Sequence, residues 1–267
     1  MRRAVYTFVL MTIITGSLFF SGCANRSRID IVGSTSVQPI AEALAEGYME
    51  SHRDVNINVQ GGGSSAGIKA IKDGTADIGT SSRPLAPAEQ GKDLKPVTIA
   101  WDGIAIIVNS QNPVAGLTGE QIRGVFAGTI RNWSQVGGAN RPIMVVNREE
   151  GSGTRTAFTE LVMKETPLVA KTIVQSSTGA VRQTVAGNPD AIGYISLDAV
   201  NSEIKALAVD GVVCNAGNIQ TKRYPITRPF LFIIDANKTD KAVARFVDFV
   251  LHDGQAIVIQ NGLVSVK

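Results

Sequence analysis

Apolar positions in this chain gather in short runs, and several runs end in the same kind of turn. Ile29, Ile31 and Val32 form one, followed by Gly33-Ser34-Thr35-Ser36 and then by Val37, Ile40, Ala41, Leu44 and Tyr48 on one helical face. Pro39 suits the first turn of that helix, where a missing N–H removes no hydrogen bond. Residues 55–59 alternate like a half-buried strand and lead through Gly61-Gly62-Gly63-Ser64-Ser65-Ala66-Gly67 into a helix predicted over 68–72, before Gly74. The apolar run 143–146 precedes Arg148-Glu149-Glu150-Gly151-Ser152-Gly153-Thr154, and Phe158, Leu161 and Val162 carry helical spacing over 154–164. Three strand ends thus deliver hydroxyl-rich glycine turns to helix starts.

A helix start leaves its first N–H groups without intrahelical acceptors and carries partial positive charge, so an anion satisfies both. Arg148 adds a planar, bidentate donor. Taken alone, residues 148–154 read equally well as a serine N-cap beside a surface arginine. Three such turns joined by an arginine favour an oxyanion site.

Two longer apolar segments, 97–109 and 224–234, are suited to carry the chain between lobes, and residues 240–252 form a periodic helix with Ala242, Val243, Phe246, Val247 and Val250 on its apolar side. The alternation predicts an α/β protein with mostly parallel sheets and ligand sites at strand ends. The expected lobes are residues 23–101 plus 226–267, and residues 102–225. Such a receptor closes on its ligand by hinge motion.

Arg2 and Arg3 precede an uncharged apolar run at 4–20 and then Ser21-Gly22-Cys23, the shape of a secretory signal over residues 1–22. Small residues directly before a cysteine resemble the lipobox of bacterial lipoproteins, which makes Cys23 the lipid-carrying first residue of the mature chain, although Phe20 stands where that motif usually has leucine. An uncleaved anchor or an ordinary signal peptide are the alternatives. Without Arg2 and Arg3, the 26 basic residues fall to 24 against 23 acidic ones, so the net charge of +3 shrinks to about +1 and gives no ground for a nucleic-acid partner. Lipid on Cys23 leaves Cys214 alone, a buried small residue by its Val212-Val213-Cys214 context, with no disulfide and no Cys/His cluster for a metal.

Over essentially the whole mature length the chain resembles the phosphate-binding lipoproteins of bacterial phosphate-specific ABC importers, the PstS family. The resemblance is carried by Gly33-Ser34-Thr35-Ser36, Gly63-Ser64-Ser65-Ala66-Gly67-Ile68-Lys69, Ala76-Asp77-Ile78-Gly79-Thr80-Ser81-Ser82-Arg83 and the 148–154 segment. Looser matches lie within 117–138, at Ala191-Ile192-Gly193-Tyr194 and at Tyr224-Pro225-Ile226-Thr227-Arg228-Pro229. It implies a two-lobed, type II periplasmic-binding-protein-like fold with dehydrated phosphate in the cleft between lobes. It also implies an extracytoplasmic, lipid-anchored monomer that delivers phosphate to importer permease subunits, with no cofactor, no metal and no enzymatic activity. By position, Thr35, Ser36 and Ser64 would donate from one lobe, and Arg148, Ser152, Gly153 and Thr154 from the other.

Many family members have an aspartate where this chain has Ser82, which accepts the proton that hydrogenphosphate carries and sulfate lacks. A serine oxygen accepts that proton too, but does not repel sulfate by charge. Asp77, Glu149 and Glu150 are candidates to compensate. Glu150 is also expected to buttress Arg148, and Arg83 to support the site by contacting the anion or bridging the lobes. Three other readings remain open: a receptor for sulfate or arsenate, a phosphate-sensing surface protein, and a serine hydrolase built on the Gly63-Ser64-Ser65-Ala66-Gly67 elbow with Ser65, a later aspartate and His252. His52 precedes that serine, and His252 suits a helix C-terminus before Asp253-Gly254.

Overall fold

The hydrophobic pattern resolves into alternating strands and helices whose ends all matter for the site. The computed structural model describes residues 27–238 and 240–267; the expected signal peptide and Cys23 lie outside the described residues. The first stretch contains β1 (Ser27–Gly33), α1 (Gln38–Ser51), β2 (Val55–Gly61), α2 (Ser64–Lys72), β3 (Ile78–Ser81) and the long β4 (Leu94–Asn109). There follow β5 (Gly116–Leu117), α3 (Gly119–Ala127), β6 (Met144–Arg148), α4 (Gly153–Phe158), β7 (Ile173–Gln175), α5 (Thr178–Ala186), β8 (Ala191–Ser196), β9 (Ile204–Ala206), β10 (Ala208–Val209) and α6 (Ala216–Gln220). The chain then returns through β11 (Thr227–Asp235), α7 (Lys241–Leu251) and α8 (Gln255–Gln260).

The fold is a two-lobed α/β architecture threaded by one curled sheet of order β2-β1-β3-β11-β4-β8-β6-β7, with β9 also on β4. The outer strands are parallel: β1 with β2 and β3, and β6 with β7 and β8. The expectation of mostly parallel sheets fails in the middle, where β11 runs antiparallel to β3 and β4, and β4 antiparallel to β8. The cause is the crossing itself. β4 leaves one lobe and β11 comes back, so the two necessarily run in opposite directions. β4 pairs with β11 up to Gly103 and with β8 from Ile104.

Each lobe has its own apolar core. One gathers Ile29, Ile31, Leu44, Tyr48, Phe230, Phe232 and Phe246; the other gathers residues 104–108 with Phe126, Trp133, Phe158 and Tyr194. A third thread also joins them. Val264 packs with the second core and exchanges backbone hydrogen bonds with Trp101 at 2.8 and 3.0 Å.

Two local expectations change. α2 begins at Ser64, four residues before its expected start, so Ser64 and Ser65 lie in the first helical turn. The helix predicted over 154–164 stops at Phe158 and continues as a π-helical turn, Thr159–Met163. That wider turn rotates Leu161 outward, 42% exposed, while Phe158 and Val162 stay buried. Pro39 sits in the first turn of α1 as expected, with Val37 as the N-cap.

Gly67 marks the tightest contact between helix and sheet. A Cβ there would lie 2.6 Å from Val32 O, 2.7 Å from Thr80 O and 2.8 Å from Gly33 Cα, all backbone atoms. Gly67→Ala is therefore expected to destabilise the protein by about 1–3 kcal/mol in urea unfolding. Gly91→Ala, where nothing lies within 4 Å, is expected to change stability by less than about 0.5 kcal/mol. Equal effects would contradict the packing.

Candidate oxyanion site

Arg148 is the last residue of β6, and the fold fixes it before any ligand arrives. Its backbone N–H donates to Asn147 Oδ1 at 2.8 Å, and Tyr194 Oη donates to the same Asn147 oxygen at 2.5 Å. Tyr194 is stacked on Phe158 with ring centroids 4.1 Å apart, so the strand end rests on the core of its lobe. The guanidinium, 2% exposed, is braced by Glu149: Nε donates to Oε2 at 2.9 Å and Nη2 to Oε1 at 2.8 Å. Nε also reaches Gln175 O at 3.2 Å. The brace expected from Glu150 is thus supplied by Glu149. Glu150 is 92% exposed, with only a loose 3.8 Å approach to Arg155, because the turn after β6 directs it to solvent.

Hydroxyls from both lobes meet in front of Arg148. Ser36 Oγ lies 2.8 Å from Thr154 Oγ1 and 2.9 Å from Thr178 Oγ1. Arg148 Nη1 donates to Thr178 Oγ1 at 3.4 Å and Nη2 to Thr35 Oγ1 at 3.2 Å. Ser34 Oγ donates to Ser82 Oγ at 3.0 Å, Ser64 Oγ lies 3.4 Å from the same oxygen, and Ser82 N–H donates to Ser64 Oγ at 3.1 Å. Gly153 closes this wall, since a Cβ there would stand 2.2 Å from Ser64 Oγ and 2.7 Å from Ser82 Oγ. Backbone also crosses, Ser65 N–H donating to Gly151 O at 3.2 Å. The structure therefore brings together Thr35, Ser36, Ser64, Ser82, Arg148, Gly153 and Thr154. Ser152, buried beside them, caps α4 by accepting from Arg155 N–H at 3.2 Å, and its O–H keeps a donor.

Arg83 has a different place. It is buried and its fork grips Glu89, Nη1 to Oε2 at 2.6 Å and Nη2 to Oε1 at 2.7 Å; that bond holds the Glu89 carboxyl below its ordinary range. Its remaining side-chain bonds go to Pro84 O and Ser65 Oγ, so it braces the loop after β3 and does not bridge the lobes. Asp77 accepts from Asp30 N–H at 2.9 Å, at the far end of β3 from Ser82, and Glu149 is committed to Arg148. Neither supplies the carboxylate that Ser82 lacks. Ser65 is exposed and neither histidine hydrogen-bonds to it: His52 is stacked on Tyr48, and His252 Nδ1 lies 2.8 Å from Asp248 O.

Thr178, Arg228 and Asp102 were not expected here. Thr178 opens α5 after the short strand β7, so Ser176-Ser177-Thr178-Gly179 repeats the strand, hydroxyl turn and helix pattern a fourth time. Arg228 and Asp102 are fully buried charges in the mostly apolar strands β11 and β4, whose other charges, Asp235 and Lys95, lie towards the strand ends, and a buried charge is itself a signal of pairing. Arg228 Nε donates to Asp102 Oδ2 at 2.8 Å and Nη1 to Thr154 Oγ1 at 2.8 Å. Asp102 Oδ1 accepts from Ser196 Oγ at 2.7 Å and Leu197 N–H at 3.1 Å. Burial pushes the Asp102 carboxyl upward against the pull of Arg228.

Against this geometry, the family model for a PBP superfamily domain matches residues 22–253. The phosphate-binding protein PstS of Bacillus subtilis is 34% identical over 202 residues, covering 74% of this chain and 67% of that protein. A crystal structure from Clostridium perfringens described as a phosphate ABC transporter substrate-binding protein with bound phosphate is 42% identical, with a TM-score of 0.88 over 90% of this chain and 100% of that one. An ABC-type phosphate transport receptor from Vibrio cholerae is 37% identical, with a TM-score of 0.74 over 88% and 99%. The fold is that of a periplasmic-binding-protein-like receptor. The chain belongs to the PstS family of phosphate-binding proteins within the PBP superfamily.

Asp198 lies within the field of the Arg228–Asp102 pair, with Oδ1 buried and unpartnered among the described residues. Burial, reinforced by the charge of Asp102, pushes its carboxyl up to about 7. An unfolded aspartate titrates near ~4, so between these values the folded state holds the extra proton. Stability from this group is full below ~4 and is lost as pH rises through about 7. Asp198→Asn is expected to melt with wild type at pH ~4 and increasingly above it towards pH ~8; a constant offset across that range would contradict the assignment.

Proposed function

We propose that this protein is an extracytoplasmic receptor that captures inorganic phosphate between its lobes and delivers it to the permease of an ABC importer. The observation that carries the reading is the buried hydroxyl chain Thr178–Ser36–Thr154, drawn from both lobes and ending on Arg148. A dehydrated oxyanion must exchange its water shell for many oriented donors. Hydroxyls and helix-start amides supply them, and Arg148 adds charge without a long, mobile side chain, because Glu149 and Gln175 already hold it. The relatives named above, phosphate-binding proteins and transport receptors rather than enzymes, support the same reading.

Thr35, Ser36, Ser64, Ser82, Arg148, Ser152, Gly153 and Thr154 are the proposed phosphate ligands. The proposed lobes are residues 23–101 plus 226–267, and 102–225; the two separate cores support this division, with Ile226 and Val264 reaching into the second core. Cleavage after residue 22 and lipid on Cys23 anchor the monomer to the outer face of the cytoplasmic membrane or in the periplasm, two chains making attachment durable. The neutral Ser82 favours one second reading, a receptor that also accepts sulfate or arsenate.

Calorimetric titration of the full chain in detergent is expected to give one phosphate per chain. Arg148→Gln is expected to weaken binding roughly 10- to 100-fold, while Glu150→Gln leaves it unchanged. Unaltered binding in Arg148→Gln overturns the site, and sulfate binding as tight as phosphate moves the specificity to tetrahedral oxyanions in general.

A further inference from the structure

We propose that Arg228 is a second arginine of the oxyanion site, giving the bound anion a guanidinium at the opposite end of the hydroxyl chain from Arg148. The proposal rests on the phosphate-receptor reading above. Its geometric basis is an unbroken series of contacts: Arg148 Nη1 to Thr178 Oγ1 at 3.4 Å, Thr178 to Ser36 at 2.9 Å, Ser36 to Thr154 at 2.8 Å, and Thr154 Oγ1 to Arg228 Nη1 at 2.8 Å. The two arginines therefore stand at opposite ends of one series of three hydroxyls, Arg148 on Thr178 and Arg228 on Thr154, with Ser36 between. Each is backed by one carboxylate, Glu149 behind Arg148 and Asp102 behind Arg228. The carboxylates hold the forks, and the hydroxyl side of the site is left positive.

Arg228 is 1% exposed, and its donors are not all used. Nε is committed to Asp102, and Nη1 to Thr154 Oγ1 and, at 3.4 Å, to Ser82 O. Nη2 is buried with no partner among the described residues. A buried, unsatisfied donor on a charged group is costly, and an anion seated at Thr154 is the acceptor that relieves it. Burial pulls the guanidinium below its ordinary value, Asp102 opposes that pull, and the positive charge of Arg148 adds to it. The two cations are thus close enough to repel each other, and an anion shared between them removes the repulsion. Two guanidiniums and a serine at position 82 select by charge for doubly charged tetrahedral oxyanions; a site with one arginine and an acidic side chain selects by the ligand's proton.

The competing role for Arg228 is that of a counter-ion for Asp102 and the neighbouring Asp198 alone. The test compares four full-length proteins in detergent: wild type, Arg148→Gln, Arg228→Lys, and Arg228→Gln combined with Asp102→Asn, which removes the buried pair without stranding a charge. Inorganic phosphate is titrated calorimetrically at pH ~8, where an unperturbed phosphate monoanion has lost its second proton, and ligand-free melting is recorded in parallel. Expected is a roughly 10- to 100-fold loss of phosphate affinity in the double variant and a smaller loss in Arg228→Lys, which keeps the charge but not the fork. Wild-type affinity in a folded double variant overturns the proposal, with Arg148→Gln still weak to show that the receptor reading stands. Should the double variant fail to melt cooperatively, Arg228→Lys decides, unchanged affinity again overturning it. Absence of phosphate binding in wild type overturns the receptor reading itself.

Discussion

The structure depends on the burial of two arginines where its two lobes meet. A charged guanidinium removed from water is destabilising unless carboxylates and oriented acceptors replace its hydration. Glu149 does this for Arg148 and Asp102 for Arg228. The crossing strands have to deliver those partners: β4 carries Asp102 through the waist of the molecule, and β11 carries Arg228 back beside it in antiparallel register, Arg228 opposite Asp102. The antiparallel centre of an otherwise parallel sheet is thus the same feature as the charge pair at the cleft.

Around that pair, the proposed recognition surface is made of groups whose polarity can be redirected. Ser36, Thr154 and Thr178 hydrogen-bond one another across the lobes. A hydroxyl both donates and accepts, so the three can bond each other or turn their protons to an oxyanion with little movement. The small residues between them keep the walls close. Gly153 stands against Ser64 and Ser82, where a side chain would collide with both oxygens.

Local patterning in the chain was a good guide to the walls of this site and a poor one to its depth. The turns at Gly33, Gly63 and Arg148 are legible because strand, hydroxyl turn and helix are adjacent in sequence, and the apolar face of α7, with Asp240 capping it, is legible for the same reason. The turn at Thr178 carries the same signal but follows a strand of three residues, too short for periodicity to stand out. Arg228 and Asp102 are 126 positions apart, and only the strand pairing of β4 with β11 makes them partners. The choice between Glu149 and Glu150 as the brace for Arg148 is likewise conformational: adjacent carboxylates point to opposite sides, one to the guanidinium and one to water. The π-helical turn after α4 breaks the period that residues 154–164 announce.

The central claim is a place as much as a ligand: one oxyanion held between lobes by hydroxyls of both, against Arg148. A crystal structure of the protein grown with phosphate measures that directly. A single phosphate is expected within hydrogen-bond distance of Arg148, Ser36 and Thr154, with the Ser36–Thr154 contact replaced by bonds to the anion. Phosphate held by one lobe only, or at a surface distant from Arg148, would contradict it.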